Sequence, residues 1–270
     1  MAVRRSRESA AGQACKHRLT GTRPRMTTPG LPQSIRACLF DLDGVITRTA
    51  VVHAAAWREM FDDFLGHREG DAFRPFSDDD YDRYVDGRPR ADGVRTFLAS
   101  RGIELPEGSP DDGPGEETVN GLGNRKNELL LARIHKDGVD AYPGSLRYLG
   151  TVRDAGLKTA VVSSSANCRD ILAAVRIENM FDARIDGVVA RERGLPGKPA
   201  PDTFLAAARD LGEAPAACAV FEDAQAGMDA GRAGRFGYVV GVDRVGQAEA
   251  LRAHGADTVV EDLAELEGRS

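Results

Sequence analysis

The chain has 270 residues, 41% of them hydrophobic and 29% charged, the make-up of an ordinary globular protein with enough apolar residues for a sizeable core. No apolar run approaches the roughly 20 residues that a membrane span requires. A formal charge of −6 argues against nucleic acid as a substrate.

The first 25 residues differ from the rest. They hold seven Lys/Arg against one Glu, so the remainder carries −12 beneath the overall −6. They also lack the apolar h-region of a secretory signal. Residues 1–33 are therefore expected to be a disordered basic extension, with Met26 as the natural beginning of the protein proper. The first β-rich run follows at 35–40. Helical spacing then governs Val52–Leu65, where apolar residues recur at 52, 56, 57, 60, 61, 64 and 65. Ser77 followed by three aspartates reads as an N-cap with an acidic first turn, opening a helix through Val85. Gly93–Ser100 and Asn124–Ile134 continue the helical pattern, and Pro106–Glu117 between them reads as an exposed loop.

From Lys158 onward the pattern alternates. Strands are expected at Lys158–Ser163, Arg184–Val189, Ala217–Phe221 and Gly237–Val242, with a weaker one at Asp257–Val260. Helices are expected at Asn167–Glu178, Ala200–Leu211, Ala224–Gly234 and Gln247–His254. Such alternation implies right-handed crossovers and a parallel sheet covered on both faces. The expected fold is thus α/β, a doubly wound parallel sheet formed by residues 34–48 and 138–270. An α-helical module, residues 49–137, is inserted after the first strand and lies over its tip. Cys15, Cys38, Cys168 and Cys218 are far apart and show no metal-binding spacing, which suits reduced thiols in a cytoplasmic protein.

Chemistry gathers at the strand ends, where open α/β sheets bind ligands. Asp41 and Asp43 leave the first strand two residues apart, a spacing that turns both carboxylates to one side. Two such anions repel unless a cation or a shared proton intervenes; an Asx-type turn is the plainer reading. Ser163, Ser164 and Ser165 follow the second strand and could cradle an anion or merely cap the next helix. Lys198, held between Gly197 and Pro199, could meet an anion or be a solvated loop lysine. Glu222 and Asp223 form a second acidic pair at a strand tip. Oxygen ligands without His or Cys favour Mg²⁺.

In this order, DLDGV, SSS, GKPAPDTF and FEDAQAG resemble the four motifs of the haloacid-dehalogenase-like superfamily across residues 34–265. The resemblance implies that Asp41 is a nucleophile taking up a phosphoryl group and Asp43 the general acid/base. It assigns Mg²⁺ to Asp41, the Asp43 backbone carbonyl and Asp223, with Glu222 in support. Ser163 and Lys198 would hold the phosphoryl oxygens.

Within that superfamily the chain is similar to the β-phosphoglucomutase-like branch. His53 and Trp57 follow the first motif as they do there, and the implied role of His53 is to reach Asp43 as the inserted module closes. A polar residue on the exposed side of a helix is the alternative for His53. Gly87 and Arg90 match a loop gripping the substrate's distal phosphate, Lys126 a sugar contact, and Ser164, Ser165 and Asn167 the opposite wall. Three positions depart from the pattern, with Arg48 in place of an aspartate and Ala166 and Asp86 in place of lysines. Arg48 or Arg88 could make up the lost charge. The resemblance leaves a mutase acting on β-glucose 1-phosphate beside a small sugar-phosphate phosphatase, either of them expected to act as a monomer on a small molecule.

Overall fold

The computed structural model describes residues 29–70 and 73–268. Most of the expected basic extension lies outside the described residues. Of its last five residues, which are described, two meet the core: the Tyr148 hydroxyl donates to the Pro29 carbonyl at 2.7 Å, and Leu31 packs against the apolar cluster.

Six parallel strands form one sheet in the order β3-β2-β1-β4-β5-β6. They are β1 (Ala37–Phe40), β2 (Lys158–Val162), β3 (Ala183–Ile185), β4 (Cys218–Glu222), β5 (Tyr238–Val242) and β6 (Thr258–Val260). The chain winds outward from β1 in both directions, so the crevice beside β1 is the topological switch point. Alternation along β1 builds both layers. Cys38 and Phe40 enter the cluster with Tyr148, Val152 and Ile171, while Ala37 and Leu39 enter the opposite cluster with Phe204, Leu211 and Met228. Phe40 and Phe221 on neighbouring strands stack at 4.4 Å. These clusters come from α5 (Pro143–Asp154) and α6 (Cys168–Ala174) on one face, and α8 (Asp202–Leu211), α9 (Gln225–Ala233) and α10 (Ala248–Ala253) on the other.

Between β1 and α5 lie α1 (Ala50–Glu69), a short α2 (Asp78–Asp80) continued as a wider turn over Tyr81–Val85, α3 (Arg90–Ser100) and α4 (Val119–Asp137). They enclose their own apolar centre, in which Trp57 stacks on Phe61 and Phe61 meets Phe76 and Phe97. The Ser77 cap forms as expected, a reciprocal box with Asp80. No helix among the described residues is long and apolar enough to cross a membrane.

Several boundaries depart from the sequence reading. The strand expected over Arg184–Val189 stops at Ile185, because Asp186 accepts the backbone N–H groups of Val188 and Val189 and starts α7 (Gly187–Glu192). This capping overrides the β-preference of the two valines. The helix expected through Glu178 ends at Ala174, where Arg176 takes a positive φ of 58°. The helix expected over Asn124–Ile134 begins at Val119, capped by the Thr118 hydroxyl, and runs to Asp137. Helix α5 was hidden by Pro143, which reads as a turn residue but occupies the first helical turn.

Candidate active site

The Asp41 N–H donates to the Phe221 carbonyl at 2.9 Å and carries the ladder one residue past β1. The chain then turns at Gly44, whose φ of +84° suits glycine. A Cβ there would stand 1.7 Å from the Asp223 Oδ2, so glycine also lets the β1 and β4 tips close on each other. Arg244, beyond β5, donates to the Gly44 carbonyl at 2.9 Å and the Val45 carbonyl at 3.3 Å and stacks on Tyr142. The loop carrying the two aspartates is thereby tied to the segment that leaves β5, two strands away in the sheet.

Lys198 is 1% exposed. Its ammonium donates to Asp41 Oδ1 at 2.5 Å, Glu222 Oε1 at 2.7 Å and the Val162 carbonyl at 3.1 Å, which uses all three protons. Burial works against its charge, but Asp41 and Glu222 outweigh burial and push its pKa up. The other Glu222 oxygen accepts the Ala224 N–H at 2.8 Å. Lys198 and Glu222 therefore stand behind Asp41 and do not line the cavity. Lys198 thus meets the nucleophile candidate Asp41 directly, and Glu222 braces that contact from behind through Lys198 and the Ala224 amide.

Asp43 is reached from several directions. The Thr49 hydroxyl donates to its Oδ1 and the Ser163 hydroxyl to its Oδ2, the latter at 3.3 Å. From α1, His53 presents Nε2 at 3.5 Å from Asp43 Oδ1, and from α4, Lys126 Nζ lies 3.1 Å from His53 Nδ1. When Lys126 is charged its ammonium can only donate, which makes Nδ1 the acceptor and leaves the ring proton on Nε2, facing Asp43. His53 Nε2 is buried with no hydrogen-bond partner among the described residues. Burial lowers the His53 pKa to about 4, the Lys126 charge adding to the effect and Asp43 opposing it. Burial also brings Lys126, 4% exposed, down to about 7 against the pull of Asp43. The exposed-helix alternative for His53 is excluded.

A cavity of about 390 Å³ opens between these groups and the helical insertion. Asp41, Asp43, His53, Trp57, Gly87, Arg90, Lys126, Ser163, Ser164, Ser165, Asn167 and Asp223 all line it, so sequence-predicted residues from both regions converge. The insertion is strapped down at two points: the Ser164 hydroxyl donates to the Gly87 carbonyl at 2.6 Å, and the Asn167 amide donates to Asn127 Oδ1 at 2.9 Å. Arg90 is held by Asn124 Oδ1 at 3.0 Å. Arg125 pairs with Asp63 outside the cavity. Arg48 lies over Tyr142 and does not line the cavity either, so it supplies no charge there. Sequence reasoning missed Asp86 as a site residue and missed Arg191 altogether, and both line the cavity. Burial, with the Glu222 charge next, pushes the Asp86 carboxyl up to about 7.

Asp223 indicates where a cation belongs. It is 7% exposed, and among the described residues its carboxylate accepts no hydrogen bond. Burial raises its pKa well above the ordinary value, and Asp86, Glu222, Asp41 and Asp43 raise it further. Burial likewise raises Asp41, with Lys198 opposing. This crowd of anions fits a hard divalent ion. Among the described residues no group of three or more His, Cys, Asp or Glu side chains is arranged to hold a metal ion by itself. A hard ion held there by Asp41 and Asp223 would need oxygens from the backbone, water or substrate as well, which suits Mg²⁺.

The sequence profile of the haloacid dehalogenase-like hydrolases matches residues 35–235. A β-phosphoglucomutase of Mycobacterium bovis is 57% identical over 244 residues, covering 88% of this chain and 93% of that one. A β-phosphoglucomutase of Bacillus subtilis is 33% identical, with 86% and 92% covered. Among solved structures, a β-phosphoglucomutase of Clostridium difficile superposes with a TM-score of 0.68 at 28% identity, covering 86% and 93% of the two chains.

Proposed function

The chain belongs to the haloacid dehalogenase-like hydrolase family, in its β-phosphoglucomutase-like subfamily, and from that premise we propose that it is a Mg²⁺-dependent β-phosphoglucomutase converting β-glucose 1-phosphate to glucose 6-phosphate. The observation that carries this reading is the chain Lys126–His53–Asp43, through which the helical insertion reaches the acid/base candidate beside Asp41. A phosphatase needs water at that point. A mutase needs water kept out until a sugar hydroxyl arrives, and acid/base competence that depends on closure serves this need.

In the proposed reaction Asp41 carries a phosphoryl group as an acyl phosphate. Asp43 takes the proton from the C6 hydroxyl of β-glucose 1-phosphate as that oxygen attacks phosphorus, giving the 1,6-bisphosphate and free Asp41. The bisphosphate turns end for end. Asp41 then attacks the phosphorus on C1 while Asp43 returns the proton to the departing oxygen, which releases glucose 6-phosphate. His53 presents its Nε2 proton to Asp43, and Ser163 fixes the other Asp43 oxygen. Lys198 holds Asp41 in place and offsets the repulsion between a carboxylate and a phosphate dianion. Asp41, Asp223 and the Asp43 backbone carbonyl would hold Mg²⁺, which when bound neutralises charge on the transferring phosphoryl group.

The test is the chain with β-glucose 1-phosphate, Mg²⁺ and a trace of bisphosphate primer. Glucose 6-phosphate formed without inorganic phosphate is expected. Stoichiometric phosphate release would make the protein a sugar-phosphate phosphatase instead. Asp41→Asn is expected to abolish either activity.

A further inference from the structure

Besides its carboxylates, the cavity is lined by three guanidinium groups. Arg88 and Arg90 come from the insertion and Arg191 from α7 on the core. Among the described residues none of the three has a carboxylate in ion-pair contact. Asp92, an acid lining the same region, is engaged by Arg95. Arg90 makes one polar contact, with the neutral Asn124 amide. Unpaired arginines converging on a concave surface repel one another, and a bound anion removes that repulsion while accepting several N–H bonds at once.

The placement of Arg191 follows from how α7 is pinned. Asp186 caps the helix, and Gly187 lies so close to the Ser164–Ala166 turn that a Cβ would be 2.8 Å from the Ser164 carbonyl. Arg191 sits one turn further on, so its base is anchored to the serine loop that lines the phosphoryl end. Arg90, by contrast, rides on the insertion, and Gly123 of α4 leaves room for its stem. The two arginines belong to different parts of the fold and meet at one cavity. Burial lowers the Arg90 pKa and the Arg191 charge lowers it further, which places both guanidiniums within one another's field.

We propose that Arg191 is the core-side partner of Arg90, and that together they grip the phosphate that is not being transferred. A substrate that presents a phosphate to the two arginines while the transferring phosphoryl group sits at Asp41 would then tie the insertion to the core, whereas one whose sole phosphoryl group is itself transferred would not. Arg191 is thus a specificity-determining residue that supplies, from the helix after β3, the charge missing at Ala166 and Asp86. This rests on the reading that Asp41 accepts phosphoryl groups.

The experiment compares wild type, Arg191→Ala and Arg191→Lys on two substrates: primed β-glucose 1-phosphate, and p-nitrophenyl phosphate, which has no second anion. Arg191→Ala is expected to lower the ratio of the two kcat/KM values about tenfold or more, mainly through KM for the sugar phosphate, as loss of a charge-assisted contact would. Arg191→Lys should recover part of that ratio. Binding of glucose 1,6-bisphosphate to Asp41→Asn, measured by calorimetry, should weaken to a similar degree when Arg191→Ala is added. An unchanged ratio, or equal losses on both substrates, overturns the assignment of Arg191 while leaving phosphoryl transfer at Asp41 intact. A wild-type chain inert toward both substrates overturns the underlying reading and this proposal with it.

Discussion

Lys198 and Lys126 are both buried amines, and their surroundings treat them in opposite ways. Lys198 is enclosed by carboxylates and stays charged. Replacing it by methionine strands Asp41 and Glu222 without their cation, a change expected to cost about 3–5 kcal/mol at neutral pH. Denaturant titrations should show that cost shrinking as the pH falls and the carboxyls take up protons. Lys126 is the reverse case, with a folded-state pKa of about 7 against an ordinary 10.5. Between those two values the unfolded chain binds more protons than the folded one. The destabilising contribution of Lys126 is therefore complete below pH 7 and disappears as the pH climbs to 10.5. Lys126→Met is expected to be more stable than wild type by a few kcal/mol near neutrality, with the difference closing in alkaline solution. The same variant should lose kcat more than it gains KM, because His53 Nδ1 is left without its donor. A gain in stability that persists undiminished above pH 10 would refute the assignment.

At the scale of elements, α7 shows how one capping residue redirects a segment. Val188 and Val189 favour a strand, yet Asp186 accepts both of their N–H groups and the chain turns helical. Asp186→Ala is expected to cost about 1 kcal/mol, visible as a lower unfolding midpoint. The strand tips were legible from the residues alone, since apolar runs ending in Asp41, Ser163 and Asp223 leave little freedom about where those side chains emerge. What the sequence did not reveal depends on contacts between distant segments. Nothing near Arg191 distinguishes it from Arg193, which pairs with Asp210 on the surface. Nor does Glu222 differ locally from Asp223. Strand alternation sends their side chains to opposite sides, and the approach of Lys198 makes Glu222 the interior one and leaves Asp223 facing the cavity.

At the scale of the whole molecule, the insertion and the sheet are joined by few polar links, and these set how well the cavity is sealed. Ser164→Ala removes the donor to the Gly87 carbonyl and should weaken closure without touching Asp41. Under the proposed function, phosphate lost per glucose 6-phosphate formed should rise, which a coupled assay of both products measures. A variant as tight as wild type would show that the Asn167–Asn127 link suffices.

Gly197 bears on the same question from the opposite wall, because a Cβ there would stand 2.1 Å from the Pro89 ring. One added methyl group would act as a doorstop, propping the lobe ajar by the width of a carbon atom. Under the proposed function, solvent would then compete with the sugar for the Asp41 acyl phosphate. Gly197→Ala is accordingly expected to leak, spending its primer as free phosphate and stalling before the substrate is exhausted.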